Sequence, residues 1–270
     1  MKNNMLLLPT PISSIANLRN DYFRSMGEFQ ELYVELAVAH SDCYVFQEED
    51  RTLGYAISNK EGVLFEFFVI NAFLSESNRI FRQLVKELAI SEIYCKSFDT
   101  LLLSNCLMCS LPYSVLGVLF RDFAEPKIDK DPELIMERVK LSSAAFLLSQ
   151  DDSIKELFDT AQQLTDFIQR EHVFTFHKKD DFVGCGMMIR THPDWEYCDL
   201  GIWVHPSKRG NSIGSQTLQQ LREFALEAKM KPSCGCAVEN IASRKAIEKS
   251  GFVSRYNLIC FGVDRTLLFD

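Results

Sequence analysis

The chain has 270 residues, room for one large domain or two of ordinary size, and is 47% apolar and 24% charged, as ordinary soluble globular proteins are. Its 37 acidic side chains outnumber 29 basic ones, for a net charge of −8 and a pI near 5.3. That balance argues against non-specific nucleic-acid binding and tolerates a cationic small-molecule substrate.

The N-terminal "MKNNMLLLPTPISS" holds one lysine and a four-residue apolar run, too short for a signal peptide. No stretch approaches the ~18 apolar residues of a membrane span, so a cytoplasmic location is expected. "EEDRTLGYAISNKEGVLFEFFVI" (Glu48 to Ile70) reads as a charged turn, a strand with a glycine near its start, a linker and an apolar strand. "SNRIFRQLVKELA" then reads as a helix and "EIYC" as a strand. Cys106 and Cys109 have metal or redox spacing, but they lie in a leucine-rich run with no second matching pair, and core packing is the better reading. All nine cysteines are expected to be reduced and mostly buried. The five histidines form no H-x-x-x-H pair, and no metal centre is expected. "EPKIDKDPELIMERVK" reads as a linker and the start of the next helix.

The second half alternates clearly. Ile154, Leu157, Phe158, Ala161, Leu164, Phe167 and Ile168 make one helical stripe. "HVFTFHKKDDFVGCGMMI" is two strands joined by a charged turn at Lys178 to Asp181, and "EYCDLGIWV" is a third. Lys208 and Arg209 then lead into a loop of small residues, Gly210, Asn211, Ser212, Gly214 and Ser215, which leaves backbone N–H groups bare. The helix from Ser212 to Lys229 points its unsatisfied N–H groups and positive dipole end at the same spot. That is an anion site, and phosphate is the usual anion. "SCGCAV", with Cys234 and Cys236 as filler, is a buried strand. "NIASRKAIEKSG" is a helix with Asn240 as N-cap and Gly251 as its stop. "FVSRYNLICFGVD" closes with strands.

Over residues 150–265 this order, with "WVHPSKRGNSIGS", "AVENIAS" and "KSGF" in sequence, resembles the GNAT N-acetyltransferase superfamily. That signature is a strand ending in V-x-P, then Arg/Gln-x-x-Gly-x-Gly/Ala opening a helix, a later Asn, and Gly-Phe after the last helix. The resemblance implies an α/β (α+β) fold, a mixed central sheet flanked by helices, with acetyl-CoA as co-substrate and no metal. It places the pyrophosphate on the amides from Arg209 to Ser215, including Ile213, beside Lys208. It pairs the pantetheine arm with the backbone of Ile202, Trp203 and Val204. Asn240 becomes a polar contact on the opposing strand, and Ser243 or Lys245 reaches the adenosine end. Neither a Rossmann G-x-G-x-x-G nor a P-loop is present. Two residues depart from the pattern. Ser212 stands where the family usually has glycine, which tolerates positive φ better. Ile247 stands where a tyrosine often reprotonates the CoA thiolate, so either no side-chain acid is needed or another group, such as Tyr256, replaces it.

Residues 178–205 share the layout of residues 48–70, and a helix and a strand follow in both. A tandem repeat with a degenerate first copy is therefore expected, an unrelated α/β domain being the alternative. The expected bounds are 1–125 for the first domain, 126–140 for the linker and helix start, and 141–270 for the acetyl-CoA-binding domain. The loop Asn71 to Arg79 lacks glycine and puts Glu76 where phosphate would lie, so the first copy should not bind CoA. In size and arrangement the chain is similar to two-unit antibiotic-resistance acetyltransferases of the zwittermicin type.

The expected reaction is direct attack of a small-molecule primary amine on the thioester. An amine of pKa about 10.4 is neutral only about one part in two thousand at pH 7, so a general base is called for. Asp199 occupies a strand position where many GNAT enzymes place a carboxylate and is the candidate base. Glu196 is the next, and each is equally readable as a solvated strand-edge carboxylate. The competing class is an acyl-CoA sensor without turnover. Homodimerisation stays open, and the acceptor pocket falls to the first half and residues 140–175.

Overall fold

The computed structural model describes residues 5–193 and 195–264. They fall into two units, Met1–Val118 with Tyr256–Asp270, and Leu119–Arg255. The chain carries β1 (Leu6–Pro9), α1 (Ala16–Met26), α2 (Leu32–Ala39), β2 (Asp42–Glu48), β3 (Arg51–Ser58), β4 (Val63–Val69), α3 (Ser77–Glu87), β5 (Glu92–Lys96), α4 (Thr100–Met108) and β6 (Tyr113–Phe123). It continues with β7 (Leu134–Arg138), α5 (Ala144–Leu148), α6 (Ala161–Gln169), β8 (Val173–Lys178), β9 (Asp181–Arg190), β10 (Tyr197–Val204), α7 (Ile213–Glu227), β11 (Lys231–Ala237), α8 (Ile241–Lys249) and β12 (Phe252–Gly262).

In unit 1 the strand order is β1-β2-β3-β4-β5-β12. Only β4 and β5 are parallel, paired at Val63↔Glu92 and Leu64↔Ile93. The last strand comes from the far end of the chain, with Leu258 opposite Lys96 and Gly262 opposite Glu92. Helix α3 buries Ile80, Phe81, Leu84 and Val85, a helical spacing that docks one stripe in the core. Cys95, Cys106 and Cys109 join them there as free thiols.

Unit 2 repeats the plan, with the order β6-β11-β10-β9-β8-β7 and β10 parallel to β11. The two copies match at one close strand approach. Gly54 faces Val69 as Gly184 faces Val204. A Cβ at Gly54 would stand 1.9 Å from the Phe68 carbonyl oxygen, and one at Gly184 2.4 Å from that of Trp203. Each copy needs glycine at that close approach. The chain is thus a tandem repeat of one α/β unit, a mixed sheet flanked by helices.

Three local expectations are corrected. Residues 134–138 form strand β7 on the edge of β8, from Leu134↔Lys178 to Arg138↔Phe174, where a helix start was expected. The open edge of β8 offers backbone partners that an isolated first helical turn lacks. The stripe from Ile154 to Ile168 breaks into a 3-10 helix, Asp152–Glu156, and α6. Thr160 is extended there and accepts from Gln163 N at 3.0 Å, while Gln163 Oε1 accepts from Asp159 N at 2.8 Å. This pair of caps makes a new helix start. Residues 252–262 form one long strand, β12, rather than several.

Unit 1 holds a buried ionic network beyond the last β4–β5 pair. Glu66 on β4 accepts from Arg19 Nη2 at 2.6 Å, Tyr55 Oη at 2.8 Å and Gln30 Nε2 at 2.7 Å. Lys96 at the end of β5 donates to Tyr22 Oη at 2.7 Å, Gln30 Oε1 at 2.9 Å and the Phe65 carbonyl at 3.1 Å. Both Glu66 and Lys96 are fully buried. Burial alone would raise the Glu66 carboxyl, but Arg19 holds it below the ordinary range. Removing one partner leaves an uncompensated buried charge. Lys96→Met should therefore cost about 3–5 kcal/mol, read as a lower urea midpoint at unchanged slope. A loss under about 1 kcal/mol would show that the network is energetically neutral.

Candidate functional site

Pairing between β10 and β11 stops at Asp199↔Ser233, whereas β10 stays paired with β9 as far as Val204↔Gly184. Residues 200–204 therefore have a strand partner on one side only. The backbone parity shows which groups face the gap. The Tyr197 carbonyl accepts from Thr191 N at 3.2 Å and His205 N donates to Val183 O at 3.0 Å, both toward β9. The Glu196 carbonyl accepts from Lys231 N, toward β11. With a two-residue period, Leu200, Ile202 and Val204 aim their N–H and C=O groups into the gap. Trp203, between them, faces β9.

The strand runs out into the loop. A 3-10 turn, Pro206–Lys208, is capped by His205 Nδ1, which accepts from Ser207 N at 3.3 Å. Gly210 and Ser212 then take left-handed backbone, at φ +85° and +61°, and α7 begins. The first backbone bond closing onto its start runs from Gln216 N to Ser212 O at 3.1 Å, so the N–H groups of Ser212, Ile213, Gly214 and Ser215 are the helix's orphan donors. A Cβ at Gly214 would meet Ile202 Cδ1 at 3.3 Å and Val204 Cγ2 at 3.4 Å. That glycine lets the helix start press against β10, so the N-terminal end of α7 abuts the open strand edge.

Both loop cations are engaged. Lys208 forms an ion pair with Asp181. Arg209 donates from Nε to the Val204 carbonyl at 3.1 Å and from Nη2 to Ser153 Oγ at 3.3 Å. Asn211 Nδ2 donates to the Lys208 carbonyl at 3.4 Å. Asn240 caps α8, accepting from Ser243 N at 3.0 Å. Asn240 and Lys245 are exposed, Ser243 is half-buried and Ile247 is buried.

The candidate acid–base residues separate. Asp199 is the last paired residue before the gap and is 9% exposed. It shares a face with Gly201 and Trp203, where a Cβ at 201 would touch Leu157 Cδ1 and Trp203 Nε1 donates to Ser153 Oγ at 3.0 Å. That face lies under residues 151–157, opposite α7. Burial pushes the Cys198 thiol up to about 12, and the nearby Asp199 carboxylate adds to it. Glu196 lies on the paired side of Asp199, exposed and bonded to Lys231. Tyr256 belongs to unit 1, where its ring meets Phe98 edge-on at 5.2 Å. Asp199 thus lies in the same unit as the loop but on the β10 face opposite α7, and Tyr256 lies in the other unit.

Sequence reasoning missed Ser153 and Asp151. The Asp151 carboxyl is held below its ordinary range by hydrogen bonds from the Ser153 hydroxyl and the Ser153 N–H, the latter at 2.8 Å. The D-x-S pattern at a turn was the available signal. Among the described residues no group of His, Cys, Asp or Glu is placed to hold a metal ion, and no helix is long and apolar enough to cross a membrane.

Two family profiles match, each described as an acetyltransferase (GNAT) domain, over residues 11–123 and 120–253. No curated protein matches the sequence. Among solved structures, a GNAT-family acetyltransferase from Colwellia psychrerythraea is similar at TM-score 0.84 and 18% identity, over 97% of this chain and 100% of its own. A GCN5-related N-acetyltransferase from Sphaerobacter thermophilus gives TM-score 0.63 at 12% identity, over 96% and 97%. A tandem GNAT protein from the clavulanic acid biosynthesis pathway gives 0.58 at 10%, over 96% and 98%.

Ser212 generates a prediction about the loop. A non-glycine residue in left-handed backbone costs of order 1–3 kcal/mol, and a β-branched residue fares worst there. Ser212→Gly should keep or raise the melting temperature and Ser212→Val should lower it. Equal melting of all three proteins would show that the loop is not held in this conformation.

Proposed function

The chain belongs to the GNAT acetyltransferases, with two such domains in tandem, and we propose that the second, matched over residues 120–253, transfers an acetyl group from acetyl-CoA to a primary amine of a small molecule. The observation that carries this reading is the half-paired edge of β10 running into the start of α7. An extended amide-bearing arm can pair with Leu200, Ile202 and Val204 as a strand would, and a pyrophosphate at its end then meets the orphan N–H groups from Ser212 to Ser215. Lys208, Asn240, Ser243 and Lys245 surround the outer part of such a ligand in this reading.

The acceptor approaches from the face of Asp199, Leu157 and Trp203, which offers one carboxylate among apolar side chains and suits a compact amine. Asp199 takes a proton from the ammonium, directly or through water. The neutral nitrogen attacks the thioester carbon, and the oxyanion forms beside a gap-facing N–H near Ile202. Collapse of the tetrahedral intermediate breaks the C–S bond and releases the CoA thiolate, which takes up the second proton that the former amine nitrogen must lose. A thiol of pKa about 8.5 is a good leaving group near neutrality, so this route needs neither a tyrosine at 247 nor Tyr256. Unit 1 is the non-catalytic copy. Glu76 stands at the start of α3, paired with Arg79, where unit 2 keeps its loop.

CoA at one hundred times its Kd should stabilise the protein by about 2.7 kcal/mol, read as a thermal shift. Gly214→Glu should remove that shift because its carboxylate displaces the pyrophosphate; a persistent shift would place the site elsewhere. Asp199→Asn should leave CoA binding intact and lower kcat by about 10²-fold, with part recovered at high pH, where the amine deprotonates unaided. Full kcat at pH 7 would make Asp199 structural and Glu196 the next residue to test. CoA binding without turnover over a panel of amines would favour the sensor reading.

A further inference from the structure

The Ser153 hydroxyl is used to capacity. It donates to the Asp151 carboxylate and accepts from Trp203 Nε1 at 3.0 Å and Arg209 Nη2 at 3.3 Å. One proton and two lone pairs are all a hydroxyl has. Its three partners lie on three segments, the turn at 151–156, strand β10 and the loop before α7. The other arm of the same guanidinium, Arg209 Nε, sits on the Val204 carbonyl at 3.1 Å. That carbonyl is one of the gap-facing acceptors of β10, so the arginine covers a backbone group that an extended ligand would use.

We propose that Arg209 is a specificity-determining residue, which closes the Val204 carbonyl to carriers lacking phosphate and yields it to those that bring one. Ser153 is the positioning residue that holds the guanidinium there. The inference rests on the acetyl-CoA reading above. A pantetheine arm that pairs with Val204 competes with Arg209 Nε for that carbonyl, crowding the guanidinium off it. A bare pantetheine gives the displaced cation no anion in return. CoA carries its pyrophosphate to the start of α7, within a few residues of Arg209, where a guanidinium binds phosphate oxygens through two N–H groups. The same side chain thus opposes the short carrier and favours the long one. Selection comes from the swap.

The test uses the full chain and titrations with CoA and with pantetheine. Arg209→Met should weaken CoA about ten-fold, the value of one charge-assisted hydrogen bond, and should tighten pantetheine. Ser153→Ala, which leaves the guanidinium on one anchor, should tighten pantetheine while keeping CoA affinity. Ser153→Thr retains the hydroxyl and should restore the native preference. In a Trp195→Phe background, the emission of Trp203 should change in Ser153→Ala and return in Ser153→Thr. If Ser153 were merely structural, its alanine variant would weaken both ligands together, and that result would overturn the proposal. Pantetheine affinity unchanged or lowered in Arg209→Met would also overturn it, with the acetyl-CoA reading intact. A native protein that binds neither ligand would overturn both.

Discussion

A parallel strand pair that ends early creates the candidate site. After Asp199↔Ser233 the backbone of β10 keeps its bonds to β9 and has no β11 opposite it. Every second residue then presents an N–H and a C=O that folding leaves without a strand partner, and such groups must be answered by something. The loop after β10, the glycine that lets α7 press in, and the carboxylate beside the branch point are all arranged around that short row of groups. A closed pair would leave nothing for an extended ligand to join.

The first copy meets the same constraint by other means. Its parallel pair also ends early, at Leu64↔Ile93, and the Phe65 carbonyl beyond it is answered by the Lys96 ammonium. The charge brought in to do this requires a shell of its own, supplied by Tyr22, Gln30 and the Arg19–Glu66 cluster. At Val204 the answering group is Arg209, exposed at the surface. A buried lysine with a full set of acceptors is fixed; a surface guanidinium can leave. One topology has been sealed internally in one copy and kept exchangeable in the other.

The elements around the loop were legible because each has a local cause. Gly210, Asn240 and Gly251 mark turns, a cap and a stop by their own backbone preferences, and the alternation in β8 to β10 follows from one buried face. The repeat was legible through Gly54 and Gly184, whose positions are set by contact with the neighbouring strand. The break between Leu157 and Thr160 was hidden because the apolar stripe continues across it, and the signal lay in the Thr160–Gln163 caps instead. Strand β7 was hidden because its reason is the exposed edge of β8, a partner some forty residues away in sequence. The Arg19, Glu66 and Lys96 network could not be read at all. Those residues are 47 and 30 positions apart, and only folding makes them neighbours.

The strand that β5 borrows from the end of the chain has a consequence during synthesis. Proteins leave the ribosome N-terminus first, and domains ordinarily complete themselves in that order. Here unit 1 needs Tyr256 to Gly262 to finish its sheet, whereas unit 2 is continuous from Leu119 to Arg255. The second copy is therefore whole before the first can be. From the emergence of Lys96 to that of Gly262, about 10–30 s pass at usual elongation rates, and for that time one edge of β5 has no partner. Its first residue, Glu92, is charged and exposed, a feature by which open strand edges resist pairing with other chains.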